Sequence, residues 1–169
     1  FSPSGKYITF STNIIIPAFH ADPDKRLEVY DTKSDVYVAD LDNNTIISSP
    51  LTTDSTQLET FPTFSPDGKY VYYCTASTAG LHTPNLRGLQ YALVRIPFDE
   101  KTGKFGTQVD TLYKERSVCH PKISPDGKYC LFTVADYGTF PIWHPEADLY
   151  MLNLQTGKVD SLSIVNSKK

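Results

Sequence analysis

An all-β fold of repeated antiparallel sheets is what this sequence predicts, and three observations support it. The first is a repeat. Phe1-Ser-Pro-Ser-Gly-Lys-Tyr7, Phe64-Ser-Pro-Asp-Gly-Lys-Tyr70 and Ile123-Ser-Pro-Asp-Gly-Lys-Tyr129 align without gaps, their starts 63 and 59 residues apart. The second is composition: 11 Tyr, 9 Phe and 12 Pro in 169 residues, an aromatic, turn-punctuated mixture that favours strands. The third is an alternating run of period two after each copy, with helical periodicity confined to short stretches. A repeat of this length is long for a helical solenoid and suits a four-stranded blade carrying insertions. The predicted fold is therefore a partial β-propeller of about three four-stranded antiparallel blades, near residues 1–55, 56–115 and 116–166.

Each element of a blade follows in order. In Ser-Pro-Asp-Gly, proline presets φ near −65° at the second turn position and glycine supplies the positive φ that closes a tight hairpin. The apolar residue before the turn ends strand A, and the run after it is strand B. A second alternating run gives strand C: Asp35–Leu41, Tyr91–Ile96 and Asp148–Leu154. Turn residues follow at Asp42-Asn-Asn44, Lys101-Thr-Gly103 and Gln155-Thr-Gly157. Strand D is expected around Ser49-Pro-Leu51, Asp110-Thr-Leu112 and Asp160-Ser-Leu162, and blade one holds only the end of its strand A.

Charge and spacing exclude several functions. A net charge of −3 with no basic stripe argues against nucleic-acid binding, which needs cations to neutralise phosphates. No stretch approaches the roughly 20 apolar residues that cross a bilayer. The chain starts at Phe1, inside a turn motif, so any targeting segment is expected upstream. Cys74, Cys119 and Cys130 have no metal-like spacing, and the hairpin register sets Cys119 opposite Phe132 or Thr133, which disfavours a bridge to Cys130. His20-Ala-Asp22-Pro-Asp24 lacks a second ligand pair. Asp40-Leu-Asp42-Asn-Asn44 resembles the start of a calcium loop, but Leu51 stands where a bidentate Glu is needed; it reads as a strand end and turn. No metal or cofactor is expected. No nucleophile elbow or phosphate-cradling glycine loop occurs, so the chain reads as a binding module and not an enzyme.

The Ser-Pro-Asp-Gly-Lys repeats resemble those of TolB-type bacterial propellers, over essentially the whole chain. Glu59-Thr-Phe-Pro-Thr-Phe-Ser-Pro-Asp-Gly-Lys69 and Ile142-Trp-His-Pro-Glu-Ala-Asp-Leu-Tyr150 are similar to a secreted Gram-negative subgroup, some members of which carry a c-type haem motif upstream of the propeller. This sequence has no CxxCH, so haem is not carried over. The resemblance implies a periplasmic or outer-surface protein that serves as a protein- or ligand-binding platform.

Propeller connectivity puts the A–B and C–D turns at one face and the B–C and D–A connections at the other. The long insertions are all B–C loops: Thr12 to Lys33, Thr75 to Gln90 and Ala135 to Ala147. Long loops on a rigid scaffold commonly carry function. His20, His82 and His144 lie in them, with His120 expected at the start of a strand A on the same side. Arg26, Arg87, Tyr137 and Trp143 accompany them, residue types that suit binding hot spots. These eight form the candidate face for a protein or small-molecule partner. The alternatives are the accessory propeller of a larger hydrolase of the prolyl-oligopeptidase type, or the propeller of a haem-containing redox protein. Open blade edges are further expected to support self-association, since each blade buries its faces on the next.

Overall fold

The computed structural model describes residues 1–18, 28–136, 140–141, 144 and 146–166. Twelve strands form three antiparallel sheets, with no α-helix among the described residues. β1 (Tyr7–Ala18), β2 (Glu28–Asp40) and β3 (Thr45–Ile47) make the first sheet, strands B, C and D of blade one. The second holds β4 (Gln57–Phe64), β5 (Tyr70–Ser77), β6 (Ala92–Asp99), β7 (Lys104–Phe105) and β8 (Asp110–Tyr113); both β7 and β8 pair with β6. The third runs in simple order through β9 (Ser117–Ile123), β10 (Tyr129–Ala135), β11 (Asp148–Asn153) and β12 (Val159–Ser161). This is the arrangement of a partial propeller.

The repeated turn is built identically three times. The Gly5, Gly68 and Gly127 N–H groups donate to the carbonyls of Ser2, Ser65 and Ser124 at 2.8–3.0 Å. Each glycine holds φ between +72° and +74°, where a side chain is strained. The serine hydroxyl caps the turn, accepting from the Tyr7, Tyr70 and Tyr129 N–H groups at 3.2, 3.0 and 2.9 Å. Asp67 and Asp126 accept in turn from Ser65 and Ser124 at 2.7 and 2.6 Å. Ser4 takes the aspartate's place in blade one, 3.0 Å from Ser2 Oγ.

A second turn recurs at the C–D connection. Asp40, Asp99 and Asn153 each accept from the N–H two residues on, at 2.9–3.0 Å. Asn44, Gly103 and Gly157 close it with positive φ. The Asp40 carboxylate is spent on Asp42 and Asn43, so the calcium-like run is a turn, as its sequence indicates.

Two expectations are corrected. Strand D of blade one is Thr45–Ile47, while Ser49-Pro-Leu51 lies outside it; Pro50 lacks the N–H a ladder needs. The first B–C insertion is not a loop from Thr12: β1 and β2 continue their pairing to Ala18 and Glu28. Ile14-Ile15-Ile16 and Val29-Tyr30 supply β-branched and aromatic residues that sustain strands.

The core lies between sheets. Tyr7, Val36 and Val38 of blade one pack with Phe64, Val71, Tyr73, Val94, Ile96 and Phe98 of blade two. Leu58, Cys74, Leu93 and Tyr113 of blade two pack with Val118, Cys130, Phe132 and Leu152 of blade three. Burying one such aliphatic or Phe side chain is worth roughly 1.5–3 kcal/mol. The three cysteines are buried, and no disulfide joins them. Cys119 sits opposite Thr133, and burial pushes the Cys130 thiol up to about 12. The exposed large apolar residues belong to the outer blades: Ile14, Ile15, Ile16, Leu41 and Ile46 in blade one, Tyr129, Leu131, Ile164 and Val165 in blade three.

Candidate functional site

Of the eight candidate residues, His20, Arg26, Tyr137 and Trp143 lie outside the described residues. His82 ends a short 3-10 turn (Thr78–His82) and Arg87 follows a second (Pro84–Leu86), both exposed in the β5–β6 connection. Gly80 lets these turns close, since a Cβ there would stand 2.6 Å from the Gly88 carbonyl oxygen. His144 lies in the β10–β11 connection and donates its N–H to Pro141. Both connections leave their hairpins at the end opposite the Ser-Pro-Asp-Gly turns. His120 departs from expectation: it is in the middle of β9, not at its start.

There it forms a bulge. Cys119 pairs with Thr133 and Lys122 with Leu131, so His120 and Pro121 together oppose one residue, Phe132. β4 repeats the device, with Phe61 and Pro62 opposing Tyr73. Phe61 and His120 both hold φ at +53°, a conformation that costs a residue with a side chain roughly 1–2 kcal/mol. Proline tolerates the bulge because its missing N–H breaks no ladder bond there. The Phe61 and His120 rings lie 4.1 Å apart between centroids. Partial burial, and then the positive charge of Lys122, hold the His120 pKa below the ordinary histidine value.

Phe140, from the β10–β11 connection, completes the cluster. Its ring meets Phe61 edge-on at 4.9 Å and Tyr91 at 6.1 Å, and its N–H donates to Val29 of blade one at 3.2 Å. One residue thereby joins all three blades at the B–C end. Arg116 braces the base of that connection, reaching Asp136 at 3.0 Å, Asp148 at 3.4 Å and the Tyr150 hydroxyl at 3.1 Å. The recurring aspartate at the strand C entrance is structural in blade three.

Beneath the aromatic rings lies a buried polar group that the sequence did not disclose. Asn13 Nδ2 donates to both Asp31 oxygens at 2.9 and 3.0 Å and to Thr60 Oγ1 at 3.1 Å, tying blade one to the innermost strand of blade two. Asp31 is wholly buried. Burial raises its pKa to about 6, while Asn13 and the neighbouring Ser34 and Tyr91 hydroxyls pull it down. Ser34 Oγ and the Tyr91 hydroxyl complete no well-aligned hydrogen bond of their own. A second buried acid, Glu59, has an unpartnered Oε2. Burial takes its pKa to about 8; the Asp54 N–H opposes this and the charges of Asp35 and Asp54 add to it. Glu59 therefore keeps its proton to a higher pH than an exposed glutamate does. The site can offer aromatic faces, an exposed imidazole and a titrating carboxyl, but the described residues bring together no group of three metal-ligating side chains.

The architecture has clear relatives among solved structures. A protein assigned as a TolB from Agrobacterium tumefaciens matches with a TM-score of 0.62 and 20% identity, over 96% of this chain and 47% of that one. A puromycin-hydrolysing peptidase from Mycobacterium tuberculosis matches with a TM-score of 0.54 and 16% identity, over 88% of this chain and 23% of that one. The chain spans less than half the length of either. These likenesses establish the propeller fold. No family model matches the chain, and no curated protein matches it. No described helix is long and apolar enough to cross a membrane.

Proposed function

We propose that this chain belongs to an extracytoplasmic TolB-like propeller and binds a protein or small-molecule partner at its B–C end. The observation that supports this most is the Phe61–His120 pair. Two neighbouring inner strands each accept a strained backbone and place an aromatic ring beside the other, and strain of this kind concentrates at functional sites. His82, Arg87 and His144 would form the surrounding rim, with His20, Arg26, Tyr137 and Trp143 as its remaining candidates. The repeat motif and the likeness to the Agrobacterium protein support the TolB-like and periplasmic part of the proposal.

Photo-crosslinking in cells tests it. A photoreactive phenylalanine analogue placed at His120 or His82 is expected to capture a partner in the periplasmic fraction, and the same analogue at Lys128 is not. Capture from position 128 alone, or from none of the three, overturns the proposal. The competing role, an accessory propeller of a larger hydrolase, draws support from the likeness to the peptidase. It predicts peptidase activity in the full-length protein and no captured partner.

A further inference from the structure

A cavity of about 350 Å³ opens between blades two and three at the other end of the molecule, beside the Ser-Pro-Asp-Gly turns. The same place between blades one and two is closed. There the Tyr7 ring lies edge-on to Phe98 at 5.2 Å and its hydroxyl donates to the Glu100 carbonyl at 3.1 Å. Ser4 reaches the Glu100 carboxylate at 3.1 Å, and Gly103 makes room, since a Cβ there would stand 3.1 Å from the Tyr7 hydroxyl. The shared C–D turn sets Leu152, Leu154 and Gly157 of blade three in the places of Phe98, Glu100 and Gly103. Leu154 has no carboxylate to fill the place where Glu100 meets Ser4, and nothing comes within 4 Å of a Cβ on Gly157. Tyr70 instead stacks under the Arg95 guanidinium, 4.4 Å from its ring centroid. The cavity is what remains.

Its charges are ordered by depth. Arg95 is the inner group, its side chain 26% exposed; Asp67 and Asp126 are the outer ones, at 53% and 51%. Asp110 takes the Arg95 Nε–H at 3.0 Å, which leaves the Nη edge of the fork to Tyr72 and the cavity. Asp67 and Asp126 each accept from their own turn serine and the N–H two residues on, and their other oxygens lie 3.5 Å from the exposed Lys69 and Lys128 ammonium groups. A carboxylate has about four acceptor sites, so each can take a further donor. Pro66, Pro125 and Ile123 supply apolar wall between the two layers.

We propose that this cavity binds a small zwitterion of the α-amino-acid class with an apolar or aromatic side chain. Its carboxylate pairs with Arg95, its ammonium lies between Asp67 and Asp126, and its side chain rests on the prolines and Ile123. A simple anion would leave the open acceptor sites of Asp67 and Asp126 unused, and a simple cation would meet the guanidinium within. The volume suits a ligand of this size, at the lower end of ordinary ligand pockets. The site is independent of the partner proposed for the B–C end.

Titration calorimetry of the chain with L-phenylalanine, N-acetyl-L-phenylalanine and L-phenylalaninamide tests it. Phenylalanine is expected to bind about tenfold or more tightly than either capped compound, the scale of one lost charge-assisted contact. Arg95→Gln is expected to weaken phenylalanine by a similar factor. Because that change also breaks the Asp110 pair, Leu154→Trp provides a second variant, which fills the cavity and leaves Arg95 in place. It is expected to abolish binding while the strand signal in circular dichroism is retained. Absence of saturable binding by all three compounds overturns the proposal, as does equal binding of all three. Undiminished binding by both variants overturns it too.

Discussion

Phe61 and His120 hold the same left-handed backbone conformation at the same place in successive blades, with their rings 4.1 Å apart. Neither position is glycine, so each blade carries a strain that a simpler strand would avoid. The strain bends the inner strand through a bulge and aims a ring at its neighbour. Phe140 then closes over Phe61 and hydrogen-bonds to blade one. Backbone geometry, aromatic packing and the contact between blades thus meet at two residues.

Substitution at His120 separates strain from contact. His120→Gly relieves the backbone but loses the ring contact, worth about 0.5–1.5 kcal/mol for an aromatic pair. Thermal melts are therefore expected to change little. His120→Val keeps an apolar side chain but forces a β-branched residue into positive φ, and is expected to destabilise by about 1–2 kcal/mol. Equal melting temperatures for the valine and glycine variants would remove strain from the account.

Glu59 sets a pH dependence of defined sign. Its carboxyl has a pKa of about 8 in the fold against an ordinary 4.5. Below the lower value both folded and unfolded chains are protonated, and its contribution is fully present. Between the two values only the unfolded chain releases its proton, so stability falls as pH rises, levelling above about 8. Glu59→Gln is expected to match the parent near pH 4. By pH 8 it should exceed it by on the order of 2–4 kcal/mol, since a tenfold change in acidity is worth about 1.4 kcal/mol. Denaturant melts across this range measure the difference; a gap that does not widen with pH would contradict it.

Much of this fold is legible in the sequence because its signals are local. Ser-Pro-Asp-Gly states its own turn, and three copies state the repeat. Buried acids leave no such trace: Asp31 and Glu59 look like solvated residues until the neighbouring blade covers them. The extended β1–β2 hairpin was hidden by Asn13 and Pro17, which read as loop residues, although Ile14-Ile15-Ile16 spoke for a strand. The bulges had a signal. Phe61-Pro62 and His120-Pro121 stand at the same offset before the repeated turn, and a shared pre-proline position in an inner strand marks a common irregularity. The cavity at Arg95 emerges only when Glu100 and Leu154 are compared across blades.

Gly103 and Gly157 form a matched pair that isolates the contact between blades one and two. Both hold positive φ, +64° and +73°, so alanine strains each by about 1 kcal/mol or slightly more. Only at Gly103 would the new Cβ press on Tyr7 and Ile47, at 3.1 and 3.3 Å. Gly103→Ala is expected to lower stability more than Gly157→Ala, by about 1 kcal/mol of overpacking. Equal losses would mean that Tyr7 yields without cost.

The outer blades predict how this chain behaves in solution. Residues at matching places on strand B show what a neighbouring blade covers: Tyr7 is 1% exposed and Tyr72 3%, whereas Tyr129 and Leu131, on the uncovered side of blade three, are 37% and 38%. Ile14, Ile16 and Ile46 of blade one are 57%, 41% and 60% exposed. Blade two, flanked on both sides, contributes no large apolar residue to this exposed set. Apolar surface of this extent is uncommon on soluble monomers, and its shape is that of a blade-to-blade contact. The 169-residue chain is therefore expected to self-associate through these flanks. Light scattering should report a mass that rises with concentration, and the double substitution Tyr129→Thr, Leu131→Thr should reduce that rise without altering the strand signal in circular dichroism. A parent chain that stays monomeric and stable at high concentration would refute the expectation. So would association that the double variant leaves unchanged while polar substitution of Ile14 and Ile16 also has no effect, because contact through either flank requires one of those surfaces.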